Sequence, residues 1–183
     1  MVDYFSLIDK YYCDNEHGRA IYLVHVTLVT KKALRLAREI GLSEESLVFI
    51  EEAGMLHDIG CCMVDMPAMG FETGLPYLKH MTEGHRILEE EGLPKHARVA
   101  STHTGVGITA KEIQERGLPL EEKDYIPETV EERIISYADL FFSKNPEKLF
   151  YEKTPDEVRG MLANLSEEQV SIFNQWHDEF TNP

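Results

Sequence analysis

Cysteine is scarce in this chain of 183 residues, which contains only three. Three cysteines cannot form the paired framework that holds small secreted domains together, and the adjacent residues Cys61 and Cys62 are poorly placed to pair with each other. Such cysteine usage is typical of a reduced, cytoplasmic protein, and we expect that location.

Long hydrophobic runs are also missing, although hydrophobic residues make up 43% of the chain. No run approaches the length that is needed to cross a bilayer, so we predict no membrane partner. Residues 1–6 do not combine a basic stretch with an apolar one, which predicts that no signal peptide is present. The length suits one domain with a complete hydrophobic core.

Basic side chains are few, because 18 Lys and Arg residues stand against 33 Asp and Glu residues and the net charge is −15 at pH 7. No basic stripe is present to follow a phosphate backbone, so long nucleic acids are not expected as partners. The acidic surface also disfavours a small anionic substrate, unless divalent cations in a cleft reverse the sign of the charge locally. The oligomeric state is left open.

No segment keeps the two-residue alternation of a β-strand, and helical patterns cover the chain. We predict helices over residues 3–13 and 18–40, the second of which ends at Gly41. Gly92 and Gly117 stand where later helices should end. Four capping-box patterns mark further helix starts: Thr109 with Glu112, Thr129 with Glu132, Thr154 with Glu157, and Ser166 with Gln169.

The segment His57-Asp58-Ile59-Gly60 closes an apolar helix over residues 47–56. Two ionisable side chains at the inner end of such a helix would lose their hydration unless they were paired. A divalent cation solves this problem, because neutral imidazole and carboxylate are both metal ligands. The alternative is a helix that ends at Gly60 with the histidine and the aspartate in solvent.

Two more polar residues lie on apolar helix faces. His25 has Ile21 four residues before it and Leu28 three residues after it, and Asp139 has Ile135 four residues before it. The spacing points both side chains into the core. His25 could be a core histidine with a hydrogen-bond partner rather than a ligand. A buried Asp139 is harder to explain without a partner, because aspartate is almost never fully buried unpaired.

Two histidines complete the set of candidates. His80 opens the helical segment 80–88, where Gly84 lies one turn later on the same face and would let another helix approach closely. His103 stands where a helix gives way to a loop rich in glycine. Taken alone, each is more typical of a surface histidine than of a metal ligand. His17, His85, His96 and His177 are interpreted as surface residues or as residues that support the ligands from behind.

In chain order these positions resemble the HD superfamily of metal-dependent phosphohydrolases, in the subset with two additional histidines that bind two metal ions. The His-Asp-Ile-Gly signature and the pattern of residues 80–88 both match well. Residues 103–139 carry further matches to an uncharacterised HDIG-type family that is found mainly in archaea. The resemblance covers about residues 20–145.

The resemblance implies an all-α fold, an HD-domain helical bundle with the metal site in the core of the bundle. We expect residues 1–183 to form a single HD domain, in which C-terminal helices over residues 146–183 pack on the motif region. Phe173, Trp176 and Phe180 share the apolar side of that C-terminal segment.

For the site, the resemblance implies two divalent metal ions held by six residues: His25, His57, Asp58, His80, His103 and Asp139. The first ion would be held by His25, His57, Asp58 and Asp139, and the second by Asp58, His80 and His103. Asp58 would be the catalytic residue that bridges the ions. The mixed ligands suit Fe or Mn, with Zn, Co or Ni also possible.

The implied activity is hydrolysis of a phosphomonoester or phosphoanhydride in a small phosphorylated metabolite or nucleotide, through a hydroxide that bridges the metals. Five residues are candidates for binding the substrate: Lys79, Arg86, Thr104, Lys111 and Lys144. The alternatives are a mixed-valence di-iron oxygenase, which uses the same ligands, and a metal-loaded domain that senses or binds a nucleotide without turnover.

The chain departs from its relatives at three places. Cys61 stands where many relatives have Lys or Arg, so it either touches the site or is a buried structural thiol. Thr104 replaces the second histidine of the members that cleave cyclic dinucleotides, and their Gly-Tyr-Pro signature is absent, which argues against that activity.

The loop 61–76 is either a lid that shapes the substrate site or an ordinary connection.

Overall fold

The computed structural model describes residues 1–182, and within that range it contains nine α-helices. Regular strands are absent from the same range, apart from isolated bridges, so the predicted all-α fold is confirmed. The helices are α1 (Tyr4–Tyr12), α2 (Glu16–Glu39), α3 (Glu44–Leu56), α4 (His80–Glu90), α5 (Pro94–Thr102), α6 (Ala110–Arg116), α7 (Val130–Asp139), α8 (Pro155–Ala163) and α9 (Glu167–Thr181). Short 3₁₀ helices occupy Ile59–Met63, Pro67–Met69, Tyr77–Lys79 and Pro146–Lys148.

Local capping explains where several helices begin and end. Thr109 and Thr154 form complete capping boxes with the glutamates three residues later, as predicted. Ser166 accepts a hydrogen bond from the backbone of Gln169, but the Gln169 side chain binds another part of the chain instead of closing the box. Gly117 ends α6 in the left-handed conformation, at φ 60°, which favours glycine.

The longest helix, α2, lies at the centre of the bundle and packs against α3, α7 and α9. One hydrophobic cluster joins α2, α3 and α7 to the C-terminal helices, where Phe173, Trp176 and Phe180 are buried as their spacing predicts. A second cluster joins α1 and α2 to the end of α3, α4 and α5. Helices α4 and α5 pack against each other, and α4 also packs against the 3₁₀ helix Ile59–Met63.

The loop 61–76 is tied to the bundle. Asn15 donates a hydrogen bond to the carbonyl oxygen of Met69 over 2.8 Å, and the His17 ring donates to that of Ala68 over 3.1 Å. Met69 itself is fully buried. These contacts hold the middle of the loop against the start of α2, which favours the ordinary connection over the lid. No helix in residues 1–182 is long and apolar enough to cross a membrane.

Candidate metal centre

The side chains of the six expected ligands come together in the core of the bundle. They arrive from α2, from the turn after α3, from the start of α4, from the turn after α5 and from the end of α7. They form two groups in which all ligand atoms lie within 4.8 Å of one another, and Asp58 belongs to both. The first group is His25, His57, Asp58 and Asp139, and the second is Asp58, His80 and His103.

Asp58 is fully buried, and its two oxygens face different partners. Oδ2 lies 3.0 Å from His25 Nε2 and 3.2 Å from His57 Nε2. Oδ1 lies 3.4 Å from His103 Nε2 and 3.5 Å from His80 Nε2. Each oxygen of the carboxylate therefore faces one group of histidine nitrogens. This is the orientation expected of a carboxylate that bridges two ions.

Backbone carbonyls fix the orientation of three of the imidazoles. In each case Nδ1–H donates to the carbonyl oxygen three residues earlier: His57 to Gly54 over 2.7 Å, His80 to Tyr77 over 2.7 Å, and His103 to Ala100 over 3.0 Å. A carbonyl oxygen can only accept, so Nδ1 carries the proton and Nε2 is the nitrogen that can bind a metal. Such backbone contacts are typical of histidines that ligate metals.

His57 provides a test of whether a cation fits. Its Nε2 is buried and lies 3.2 Å from Asp58 and 3.6 Å from Asp139, yet it has no hydrogen-bond partner in the part of the chain described. A buried ring nitrogen without a partner is unfavourable. A divalent ion between this nitrogen and the two carboxylates would satisfy all three groups, so the residues present fit a divalent metal site.

The electrostatics of the cluster also favour a cation. Burial raises the pKa of the Asp58 carboxyl, but the Lys144 ammonium and His57 outweigh that effect and hold this pKa well below its usual range. Burial likewise raises the pKa of Asp139, but the nearby imidazoles of His25 and His57 and the Lys144 ammonium outweigh that effect and hold this pKa well below its usual range. Both carboxylates are therefore ionised at neutral pH, although Asp58 is fully buried and the Asp139 side chain is only 17% exposed.

Two of the histidines differ in protonation when no metal is bound. Burial lowers the pKa of His80 to about 3, which keeps its ring neutral and able to bind a metal. Burial opposes protonation of His57 as well, but the Asp58 charge prevails and the pKa rises to about 10. A metal ion that binds to His57 must therefore displace a proton, as is usual for metal sites.

Lys144 reaches the same carboxylate from the segment after α7. Its Nζ contacts Asp58 Oδ2 and lies 3.4 Å from His25 Nε2, and its side chain is only 9% exposed. On the other side of Asp58, the Cys61 thiol donates to Oδ1 over 3.4 Å. Cys61 therefore touches the candidate ligand set while being completely buried.

The sequence interpretation missed one aromatic residue at the site. The Tyr77 ring stacks on the His80 ring with 4.5 Å between their centres, and the Lys144 ammonium lies 5.9 Å from the centre of the Tyr77 ring. Tyr77 is 42% exposed, so it forms part of the boundary between the cluster and solvent. No motif marks it, although its position three residues before His80 was a signal that it could support that histidine.

The other candidates for substrate binding lie in different surroundings. Thr104 follows His103 directly. Lys79 precedes His80 and lines an outer groove together with His85. Arg86 pairs with Glu83 and Glu90, and Lys111 is 79% exposed beside Glu115, so both bind carboxylates of their own helices. Of the five candidates, Lys144 alone makes a hydrogen bond or an ion pair with a candidate ligand within residues 1–182.

Two of the histidines set aside as surface or supporting residues are in fact partnered at a distance from the cluster. His96 is buried, with its Nε2 3.2 Å from Glu52. His177 lies with Nδ1 2.7 Å from the hydroxyl oxygen of Tyr137, beside the aromatic side chains of α9. Neither residue contacts a candidate ligand in the described part of the chain.

Several archaeal proteins are similar to this chain. It is 33% identical over 175 residues to a tRNA (cytidine(56)-2'-O)-methyltransferase of Picrophilus torridus, and the match covers 91% of this chain and 47% of that protein. A protein of Thermoplasma volcanium with the same name is 28% identical over 88% of this chain and 43% of its own length. The chain thus spans less than half of the length of these two relatives. An uncharacterised protein of Methanocaldococcus jannaschii is 36% identical over 63% of this chain and 62% of its own length.

The fold is similar to that of a solved bacterial domain and to the model of a protein family. The HD domain of the L. monocytogenes phosphodiesterase PgpH superposes with a TM-score of 0.56 at 17% identity, over 92% of this chain and 94% of that one. The same domain in complex with cyclic-di-AMP gives a TM-score of 0.54 at 16% identity, over 92% and 93%. The HD domain family model matches residues 22–142, which include all six expected ligands. The chain therefore belongs to the HD domain family.

Proposed function

We propose that this chain is a metal-dependent phosphohydrolase that acts on a phosphomonoester or phosphoanhydride of a nucleotide-like small molecule. The observation that carries the proposal is the division of donors around Asp58, whose two oxygens face two separate groups of ligand atoms. Paired ions held in this way are the usual apparatus for displacement at phosphorus.

The ligand residues have distinct tasks in this proposal. Asp58 would hold both ions, while His25, His57 and Asp139 would complete one site and His80 and His103 the other. Fe or Mn suits this mixture of imidazole and carboxylate. Bound ions would polarise phosphoryl oxygens and activate water for attack. The carbonyl contacts of the three imidazoles keep their Nε2 atoms in place before an ion binds.

Lys144 takes the part of the basic residue that Cys61 replaces. Cys61 is neutral and buried, so it cannot offer a charge to a phosphate. Lys144 places an ammonium group against Oδ2 of Asp58, whereas the Cys61 thiol contacts Oδ1 of the same carboxylate. With a divalent ion bound at Asp58, this ammonium would be available to donate to a phosphoryl oxygen of the substrate.

Two observations support a nucleotide-like substrate. The L. monocytogenes domain with the similar fold has been solved in complex with the nucleotide cyclic-di-AMP. The candidate ligand cluster of this chain lies beside a partly exposed aromatic ring, Tyr77, which a flat base could contact. Thr104 in place of a second histidine argues against cleavage of cyclic dinucleotides themselves.

The two methyltransferase relatives suggest a different activity, which we place outside the shared region. This chain matches less than half of each of them. The region it shares is a helical HD domain whose buried imidazoles and carboxylates are ligands for metal ions. We expect this chain to transfer no methyl group to tRNA from S-adenosylmethionine, and a filter-binding assay with labelled methyl donor would check this.

The phosphohydrolase proposal is tested by reconstitution. Protein freed of metal with a chelator is loaded with Mn under anaerobic conditions and assayed for release of phosphate from phosphorylated metabolites and nucleotides. We expect turnover with Mn, no turnover in the metal-free protein, and none in Asp58→Asn. Glu115→Gln, which changes an exposed carboxylate on α6, serves as the matched control.

Other outcomes separate the alternatives. Activity that appears only with iron and oxygen, together with a mixed-valence paramagnetic signal, would contradict hydrolysis in favour of an oxygenase. Tight nucleotide binding without turnover under either condition would indicate a sensor domain instead.

A further inference from the structure

A small cavity, with a volume of about 120 Å³, is lined in part by residues that stand beside candidate ligands in the chain. Two of its walls are connected directly to ligands of the cluster. Thr104 follows His103, and Leu78 lies in the same 3₁₀ helix as Tyr77, whose ring stacks on His80. These connections place the cavity where it can take another part of a molecule whose phosphoryl group lies at the candidate metal centre.

The lining of the cavity is mostly apolar. Leu78, Ile108, Leu118 and Leu165 contribute to it, and the first three belong to one hydrophobic cluster beside α6. A cavity of about 150 Å³ with similar walls accommodates a benzene molecule. The size and lining thus suit a single flat ring, whereas a two-ring purine would extend beyond the cavity.

Three polar side chains complete the lining. Arg116, the last residue of α6, makes no ion pair with any of residues 1–182, so its guanidinium group is free to donate to a ligand. Thr104 Oγ1 and Gln169 Oε1 are buried oxygens that lack hydrogen-bond partners in the same range. An unpaired buried acceptor is unfavourable, and a donor on a ligand would relieve that cost.

The orientation of Gln169 is well determined. Its Nε2 donates to Glu112 Oε1 over 2.6 Å, and a carboxylate can only accept, so Oε1 is the atom left unpaired. Glu112 is itself held by the capping box at the start of α6. The Gln169 side chain, which binds Glu112 instead of closing the capping box with Ser166, thus places a buried acceptor in the lining of the cavity.

From these features we propose that the cavity is a subsite for the base of the substrate, and that it selects a pyrimidine. The apolar walls would hold the ring, Arg116 would donate to a ring carbonyl, and the unpaired oxygens would accept from ring N–H or amino groups. This inference rests on the proposed phosphohydrolase function, because it names the part of that substrate which lies farthest from the phosphoryl group.

The test compares three compounds that carry the same phosphate: cytidine 5′-monophosphate, adenosine 5′-monophosphate and ribose 5-phosphate, which has no base. We expect Mn-loaded protein to bind and hydrolyse the cytidine compound at least about tenfold better than either of the others. In Leu165→Trp the indole fills the cavity, and in Arg116→Gln the charged donor is lost. Both changes should reduce the preference for cytidine over ribose by about tenfold.

Two control variants match these changes. Met161→Trp adds the same indole at another half-exposed apolar position, in α8. Arg38→Gln removes an arginine from the last turn of α2. Like Arg116, Arg38 makes no ion pair within residues 1–182. Neither residue lines the cavity, so both variants should keep the preference of the unchanged protein.

The measured outcomes distinguish the two proposals. Equilibrium binding that prefers cytidine and weakens in the cavity variants, without any turnover, would support the subsite and contradict the hydrolase. Equal hydrolysis of all three compounds, or a preference for adenosine, would overturn the subsite and leave the hydrolase in place. An unchanged preference in Leu165→Trp and Arg116→Gln, or no binding of any of the compounds, would also overturn the subsite.

Discussion

Asp58 is the residue on which both groups of ligands depend, because each of its oxygens faces a different group. We predict that Asp58→Asn removes both metal ions, since an amide cannot supply two anionic oxygens. His80→Ala should remove one ion and keep the other. Metal content by mass spectrometry gives the result, and circular dichroism verifies that the helices remain. Full metal occupancy in Asp58→Asn would rule out the bridging role.

Lys144 is predicted to act on the substrate rather than on the metals. Lys144→Met should keep the metal content and weaken binding of inorganic phosphate by about tenfold, because one charge-assisted contact is lost. Lys148→Met is the matched control, since this nearby lysine makes no ion pair with residues 1–182. Inhibition constants for phosphate are measured on both variants. Loss of metal in Lys144→Met would show that the residue serves the ligand cluster instead.

His96 couples folding stability to pH. Burial lowers the pKa of this ring, although Glu52 acts in the opposite direction, and Lys95 adds to the lowering. The unfolded chain therefore binds a proton at a higher pH than the folded protein does, so this contribution to stability is lost as the pH falls below about 6.5. Urea unfolding at pH 7.5 and 5.5 gives the free energy of unfolding, which should fall less between these two pH values in His96→Gln than in the unchanged protein. An equal loss in both would contradict the prediction.

Among the elements, the close approach of α4 to the 3₁₀ helix Ile59–Met63 holds the second group of ligands together. A Cβ added at Gly60 would overlap the backbone of His80 and come within 2.9 Å of Gly84 Cα. Neither the backbone of α4 nor that of the 3₁₀ helix can move apart without displacing a candidate ligand, because His80 begins the first and Asp58 precedes the second. Glycine is therefore required at position 60 by the packing of two elements.

We predict that Gly60→Ala lowers the free energy of unfolding by about 1–3 kcal/mol, as overpacking in a core does. It should also reduce metal binding at His80 and His103, which the contact positions. Gly160→Ala is the control, because a Cβ there meets nothing within 4 Å and the residue lies inside α8. That change should leave stability equal or raise it by up to about 1 kcal/mol. Equal unfolding curves for both variants would refute the packing argument.

For the whole molecule, metal binding and folding should be linked. The ligands come from five parts of the bundle, so the complete set exists only in the folded protein. A ligand at 100 times its Kd stabilises by about 2.7 kcal/mol, which raises Tm by about 5–11 °C for a protein of this size. Thermal melting with and without Mn measures this, and Asp58→Asn should show no shift. Identical melting curves for the unchanged protein would exclude a metal bound by these residues.

The sequence by itself determined the elements and the family. Helix starts at Thr109 and Thr154 and the end at Gly117 follow from contacts within a few residues, so their patterns are visible in the chain. The polar residues on apolar helix faces were equally visible, because helical spacing decides which side chains point inward. Their order was enough to predict the HD domain family and the all-α fold, both of which are confirmed.

Only the tertiary structure decided which side chains surround those positions. Lys144 meets Asp58 across 86 residues of sequence, and Gln169 binds Glu112 across 57, instead of the capping partner that its local pattern predicts. The same is true of the burial of His96 against Glu52 and of the cavity beside Thr104. Local periodicity specifies the face of a helix, but the partners on that face depend on how distant helices pack, and no pattern within one element contains that information.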